Sequence, residues 1–135
     1  PDQTLTIPST AARVITVGAY DDATETYAPF SGRGGGMGNW QQKPDLAAPG
    51  VGIIAPMAGG GYGPVTGTSF AAPFVTGAAA LLMEWGIVLG NDPYLYGDKL
   101  REYLRKGARR LPGETEYPNP RLGFGALCAA DSIPR

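Results

Sequence analysis

The 135-residue sequence contains no histidine, one cysteine and few charged residues. Without an imidazole, these residues alone cannot form a Ser-His-Asp or Cys-His catalytic set, nor a zinc site built on histidine. The single cysteine, Cys128, excludes an internal disulfide scaffold. Catalysis of the Ser-His kind would therefore require residues from outside this sequence.

Charge is scarce and balanced. Lysine and arginine total 11, aspartate and glutamate total 12, and charged residues make up 17% of the chain. This composition does not suggest a surface that binds nucleic acid or an anionic membrane, so neither partner is expected. Glycine (21) and proline (13) are abundant, but hydrophobic residues reach 43% and the glycines keep no fixed period. A disordered or collagen-like chain is therefore not expected, whereas one folded domain, or part of one, is.

Short β-branched runs alternate with helical segments along the chain. Three segments are predicted as strands: residues 13–19, 27–31 and 51–55. The first and the last are nearly continuous in apolar residues and are predicted to be buried. The glycine-rich stretches 32–38 and 59–64 are predicted as loops, and residues 46–50 as a turn. Strands mixed with helices indicate an α/β architecture.

The longest apolar segment, residues 70–85, is rich in alanine and predicts a helix buried on every side. Pro73 falls in the predicted first turn and Gly86 follows the end, where helices tolerate these residues. The segment is shorter than the roughly 20 apolar residues that cross a bilayer, so no membrane span is expected. Residues 97–107 predict a second, amphipathic helix on the surface.

Ser69 is the best candidate for a reactive side chain. It follows Gly67 at the start of the apolar helix, where the helix dipole and free N–H groups favour a developing negative charge. A serine nucleophile and half of an oxyanion hole require this arrangement. A simple helix cap, a role that serine favours, is the alternative interpretation. The G-x-S-x-G elbow of α/β-hydrolases is not matched, because Ala71 replaces its second glycine.

Other polar residues are weaker candidates. The acidic residues Asp21, Asp22 and Glu25 suggest a calcium site, but they lack EF-hand spacing, and a solvated turn is the simpler interpretation. Lys43 could act as a base for Ser69 in a Ser-Lys dyad. Neither glycine-rich loop has the register of a phosphate-binding loop, so no nucleotide site is predicted. No metal site is predicted either, because the acidic residues lack the spacing of a calcium loop.

Several motifs resemble one known family. Residues 67–77, GTSFAAPFVTG, resemble the active-serine motif of the subtilisin-like serine proteases, the subtilases. Further segments resemble that family in its order along the chain: VITVGA at 14–19, FSGRG at 30–34, KPDLAAPGV at 43–51 and GFGAL at 123–127. The resemblance spans nearly the whole sequence. Residues 83–97 and YPNP at 117–120 look like the clostridial spore-germination branch.

The resemblance implies that residues 1–135 form the C-terminal part of one three-layer catalytic domain, with a mainly parallel sheet and a buried central helix. Ser69 would be the nucleophile, and its backbone N–H one oxyanion donor. The catalytic aspartate and histidine and the oxyanion asparagine would all precede Pro1. Lys43 would then be a surface residue. Phe74 stands where many relatives carry a histidine that is not the catalytic base, which leaves the mechanism unaffected.

We therefore expect a fragment of a serine endopeptidase that forms an acyl-enzyme on Ser69 and is inactive without its aspartate and histidine. The alternative is a subtilase-like pseudoprotease that serves as a binding or signalling module. The expected partners are a peptide or protein substrate and the missing N-terminal part of the domain.

For the chain alone we expect a dimer through its exposed side. No cofactor is predicted, although some subtilases bind calcium. The sequence assigns no substrate-binding residues, and a secreted, cell-envelope or spore location in a bacterium is favoured.

Overall fold

The computed structural model describes residues 3–35 and 42–135. Within them the strands, in chain order, are β1 (Val17–Asp21), β2 (Thr26–Tyr27), β3 (Leu46–Pro49), β4 (Ile53–Pro56) and β5 (Tyr62–Val65). The helices are α1 (Thr68–Met83), α2 (Gly97–Lys106) and α3 (Ala129–Ser132), and a π-helical turn at Glu84–Val88 continues α1. This mixture confirms the predicted α/β class.

The central sheet is mixed. Strand β1 pairs in parallel with β3, from Val17 opposite Leu46 to Tyr20 opposite Pro49, and antiparallel with the short strand β2. On the other side of β3, Ala126 forms a parallel bridge with Ala47. The predicted parallel arrangement is thus confirmed for β1 and β3.

Strand β3 replaces the turn predicted for residues 46–50. Its sequence, Leu-Ala-Ala-Pro, has little intrinsic preference for a strand. The extended conformation comes from long-range bonds, because β3 lies between β1 and the segment that contains Ala126. The prediction of a turn is therefore wrong, since it considered only the local proline and glycine.

The strand predicted for residues 13–19 forms only from Val17 onwards, and the one predicted for 27–31 ends at Tyr27. Strands β4 and β5 form an antiparallel hairpin, so the loop predicted for 59–64 is confined to its tip. Strand β4 is half-exposed rather than buried. Residues 36–38 of the loop predicted for 32–38 lie outside the described residues.

Helix α1 packs against β1 and β3 through one face only. The buried residues of the helix are Ala71, Val75, Ala78 and Leu82. Phe74 and Leu81 on other faces are 42% and 60% exposed. The prediction of a helix buried on every side is therefore wrong within this chain. An apolar groove of about 660 Å³ separates the exposed side of α1 from β4.

The helical segment Thr68–Val88 is 21 residues long and apolar enough to cross a membrane by length and composition, a test that core helices of soluble proteins also pass. The expectation that this helix is too short to cross a bilayer is therefore wrong, because the π-helical turn lengthens it beyond residues 70–85. The predicted helix at 97–107 is confirmed as α2. Its apolar face is buried through Leu100 and Leu104.

Candidate active site

Ser69 is the second residue of α1. The residue that caps the helix is Gly67, whose φ of 154° and ψ of 158° suit glycine far better than any other residue. The Gly67 N–H donates to the carbonyl of Gly50, at the end of β3, over 2.8 Å. Ser69 is therefore not the cap itself, and the sheet backbone fixes the start of its helix.

The first turn of α1 is suited to a developing negative charge. The first N–H groups of a helix have no carbonyl four residues earlier within it, and here no acidic residue occupies the turn. The Phe70 N–H donates to the Gly67 carbonyl over 3.0 Å. Pro73 is the sixth residue of α1, not part of the first turn as predicted, and it has no N–H to donate to the carbonyl of Ser69 four residues earlier. Ser69 is exposed, and its hydroxyl has no hydrogen-bond partner within the described part of the chain.

Ser69 opens on a cleft of about 560 Å³. The cleft is lined by Thr68, Ser69 and Ala72 of α1, together with residues from the segments 4–9, 14–17 and 30–32. Among the described lining residues none carries a charge. This cleft therefore offers an extended, largely neutral surface beside the serine hydroxyl.

Lys43 is buried rather than on the surface, with 5% of its area exposed. Its ammonium donates to the carbonyl of Val14 over 2.5 Å and to Asp45 Oδ2 over 2.8 Å. The prediction of a surface lysine is therefore wrong. These hydrogen bonds direct the ammonium to Asp45 and Val14, and a Ser-Lys dyad with Ser69 gains no support.

The predicted acidic cluster is used in other contacts. Glu25 Oε1 lies 2.7 Å from Arg109, and Asp22 is 3.9 Å from the same guanidinium. Asp21 accepts the backbone N–H of Ala23 over 3.0 Å. Across residues 3–35 and 42–135, no three side chains of His, Cys, Asp or Glu are placed to hold a metal ion. The acidic residues belong to a turn that is paired with arginine.

One buried cluster was missed by the sequence interpretation. Asp45 is fully buried and accepts the N–H of Thr16 over 2.7 Å, the ammonium of Lys43, and Nε of Arg105 over 2.9 Å. The spacing of Lys43 and Asp45 in the sequence could have indicated this pair. In an extended chain, residues two apart project to the same side, which places Lys43 beside Asp45.

A family model and the relatives of this chain point to the same protein family. The family model Peptidase_S8, the subtilase family, matches residues 1–125. The serine protease AprX of Bacillus subtilis is 35% identical over 155 residues, which covers 99% of this chain and 33% of AprX. This chain therefore spans about a third of that relative.

Solved structures agree with this family. The Clostridium perfringens CspB protease has 46% sequence identity and a TM-score of 0.91, covering 96% of this chain and 27% of CspB. The prenylagaramide maturation protease PagA has 32% identity and a TM-score of 0.75, covering 98% of this chain and 47% of PagA. From its sequence motifs, its fold and these relatives, the chain belongs to the subtilase family.

Proposed function

We propose that Ser69 is the nucleophile of a serine endopeptidase that hydrolyses peptide bonds through an acyl-enzyme. The observation that carries this proposal is the position of Ser69, exposed at the first turn of α1 and open to a neutral cleft, in a chain of the subtilase family. The neighbouring N–H groups and the helix dipole favour the oxyanion that acyl transfer produces.

In the proposed reaction, Ser69 Oγ attacks the carbonyl carbon of the scissile peptide and its proton passes to a base. The Ser69 N–H stabilises the oxyanion, the C–N bond breaks, and the amine leaves with a proton from that base. Water then hydrolyses the ester and regenerates the hydroxyl. The sequence has no histidine, so a histidine base comes from outside these 135 residues, and we propose that the carboxylate that orients it does too. The chain alone is therefore proposed to be inactive.

A fluorophosphonate probe tests this proposal by intact mass. The full-length protein is expected to gain one adduct, and the Ser69→Ala variant none. Ser9→Ala is the matched control, because Ser9 lines the same cleft, and it is expected to label like the unmodified protein. The 135-residue chain alone is expected not to label. Adduct formation on the Ser69→Ala variant would contradict the assignment of the nucleophile.

A folded full-length protein that forms no adduct would contradict proteolysis and favour the pseudoprotease alternative, a binding or signalling module. Cleavage of a peptide by the chain alone, abolished by Ser69→Ala, would contradict the proposed need for an external base. We propose a peptide or protein as substrate and a secreted, envelope or spore location in a bacterium. Cell fractionation tests the location, and recovery of the protein only from the cytoplasm would contradict it.

A further inference from the structure

We propose that Lys43 is a positioning residue for substrate binding. Its ammonium binds the carbonyl of Val14, which belongs to the segment 14–17 that forms one wall of the cleft beside Ser69. The proposal rests on the function proposed for Ser69, because it assigns the cleft to the substrate.

Lys43 and Asp45 bind the backbone of the wall at three points. The Lys43 ammonium donates to the carbonyl of Val14. The Thr16 N–H donates to Asp45 Oδ2 over 2.7 Å, and the Asp45 N–H donates to the Thr16 carbonyl over 2.8 Å. Lys43 and Asp45 are themselves joined by a 2.8 Å ion pair that is shielded from water. Charge-assisted hydrogen bonds of this kind are short and strong.

These contacts are needed because the regular β-ladder covers only the last residue of the wall. Pairing of β1 with β3 begins at Val17 opposite Leu46, and one backbone bond, from the Asp45 N–H to the Thr16 carbonyl, precedes it. Val14 and Ile15 lie before these bonds, so the ladder does not fix their backbone. The position of the Val14 carbonyl therefore depends on the Lys43 side chain.

Asp45 has a second cationic partner, Arg105. The fold can therefore persist when Lys43 is replaced, and the effect of Lys43 on the substrate can be measured apart from its effect on stability. Arg105 of α2 donates through Nε to Asp45 Oδ1 over 2.9 Å, and its guanidinium lies 4.8 Å from the centre of the Phe124 ring. Without Lys43, Asp45 would still be paired with Arg105. We therefore expect loss of the ammonium to loosen Val14 while the cluster and the fold persist.

The substrate effect follows from the shared cleft. Val14, Ile15, Thr16 and Val17 line the same cleft as Ser69. A displaced wall weakens contacts that the peptide makes before and during the reaction alike, which raises KM and leaves kcat nearly unchanged. The hydroxyl of Ser69, held by α1, keeps its reactivity toward a small probe.

The test compares Lys43→Met with Lys106→Met in the full-length protein. Lys106 is the matched control, because it is 72% exposed and its ion pair with Glu102 lies on the surface of α2. For Lys43→Met we expect KM to rise about tenfold, the loss of roughly one charge-assisted hydrogen bond. We expect an unchanged kcat, unchanged fluorophosphonate labelling, and faster hydrogen exchange of the amides of residues 14–17. Lys106→Met is expected to leave all four unchanged.

The outcomes separate this proposal from the proposed function. If the unmodified protein labels at Ser69 and cleaves peptide, an unchanged KM in Lys43→Met overturns the positioning role alone. If the unmodified protein does not label, the proposed function fails and the substrate role of Lys43 fails with it. Unchanged exchange at residues 14–17 would independently overturn the inferred hold on the wall.

A second variant covers a failure of Lys43→Met to fold. The double variant Lys43→Met/Asp45→Asn removes the charge from both partners and keeps an oxygen to accept the Thr16 N–H. Arg105 loses its anion in this variant, but its side chain is 20% exposed to water and keeps its contact with the Phe124 ring. It removes the bond to Val14 and is therefore expected to show the same rise in KM. A folded double variant with an unchanged KM would overturn the proposal.

Discussion

Gly50 lies so close to Ala19 that a β-carbon on Gly50 would be 2.7 Å from the Ala19 Cβ. The same added atom would lie 3.1 Å from the carbonyl oxygen of Gly67, the residue that caps α1. Strands β1 and β3 and the start of the serine helix thus meet at a point where only a glycine fits. The location of Ser69 depends on this contact, because the Gly67 N–H donates to the Gly50 carbonyl.

Substitution of Gly50 by alanine should therefore affect both stability and the serine. We expect Gly50→Ala to destabilise the fold by roughly 1–3 kcal/mol through overpacking and to slow fluorophosphonate labelling of Ser69. The measurements are denaturant unfolding and the labelling rate in the full-length protein. Gly77→Ala is the control, since nothing lies within 4 Å of a β-carbon there and alanine favours a helix. Equal labelling in the two variants would contradict the predicted link.

Loss of the Asp45 carboxylate should be among the most damaging single changes. Asp45→Ala leaves Lys43 and Arg105 without their shared anion and the Thr16 N–H without its acceptor. We expect the free energy of unfolding to fall by about 3–5 kcal/mol. Glu102→Ala, which removes an exposed carboxylate paired with Lys106, should leave unfolding by denaturant nearly unchanged. Similar losses in both variants would show that burial of the pair is unimportant.

Stability in acid should depend on Asp92. Its carboxylate accepts hydrogen bonds from the Lys99 ammonium and the Tyr103 hydroxyl, each over 2.6 Å. These partners, Lys99 first, hold the pKa of Asp92 below its ordinary value of 3.8. The folded protein therefore binds this proton less readily than the unfolded chain does. The carboxylate thus stabilises the fold above pH 3.8, and that contribution is lost as the pH falls through the lowered pKa.

The variant Asp92→Asn measures this contribution. We expect its Tm to lie below that of the unmodified protein at neutral pH, with the difference shrinking as the pH falls below 3.8. Thermal unfolding followed by circular dichroism across the acid range provides the measurement. A Tm difference that stays constant at every pH would contradict the assigned role of the charge.

The apolar groove between α1 and β4 should make the isolated chain associate. Leu81 and Ile54 both line this groove and are 60% and 67% exposed. Exposed apolar surface of this kind favours association in water. We expect the chain alone to form dimers or larger species in sedimentation velocity, and Leu81→Glu to shift it toward the monomer. Thr76→Glu, an exposed position on α1 that does not line the groove, should have no such effect.

Local sequence patterns predicted the helices well. The spacing of apolar residues and the flanking glycines placed α1 and α2 within two residues of their observed ends, since these signals act over a few residues. Strand β3 was not predictable in this way. Its alanines and proline carry no strand signal, and the residues that pair with it lie 29 and 79 residues away, with Val17 opposite Leu46 and Ala126 opposite Ala47.

The candidate site likewise has one part that neighbouring residues predict and another that depends on distant contacts. The location of Ser69 at a helix start follows from neighbouring residues, so the sequence alone predicts it. The burial of Lys43 depends on Asp45, which depends in turn on Arg105, 60 residues further along the chain. Lysine is rarely buried unless it is paired, and a partner this distant is invisible in a local pattern.

The segment around Ala126 has a consequence for the solution behaviour of the chain. Ala126 bridges Ala47 on one side and Arg109 on the other, so backbone bonds already occupy the outer side of β3. A sheet margin that ends in single bridges offers no long template for strand addition, which is how amyloid fibrils grow. Association through this margin of the central sheet is therefore disfavoured, and we expect the exposed apolar side chains on α1 to carry the association of the chain.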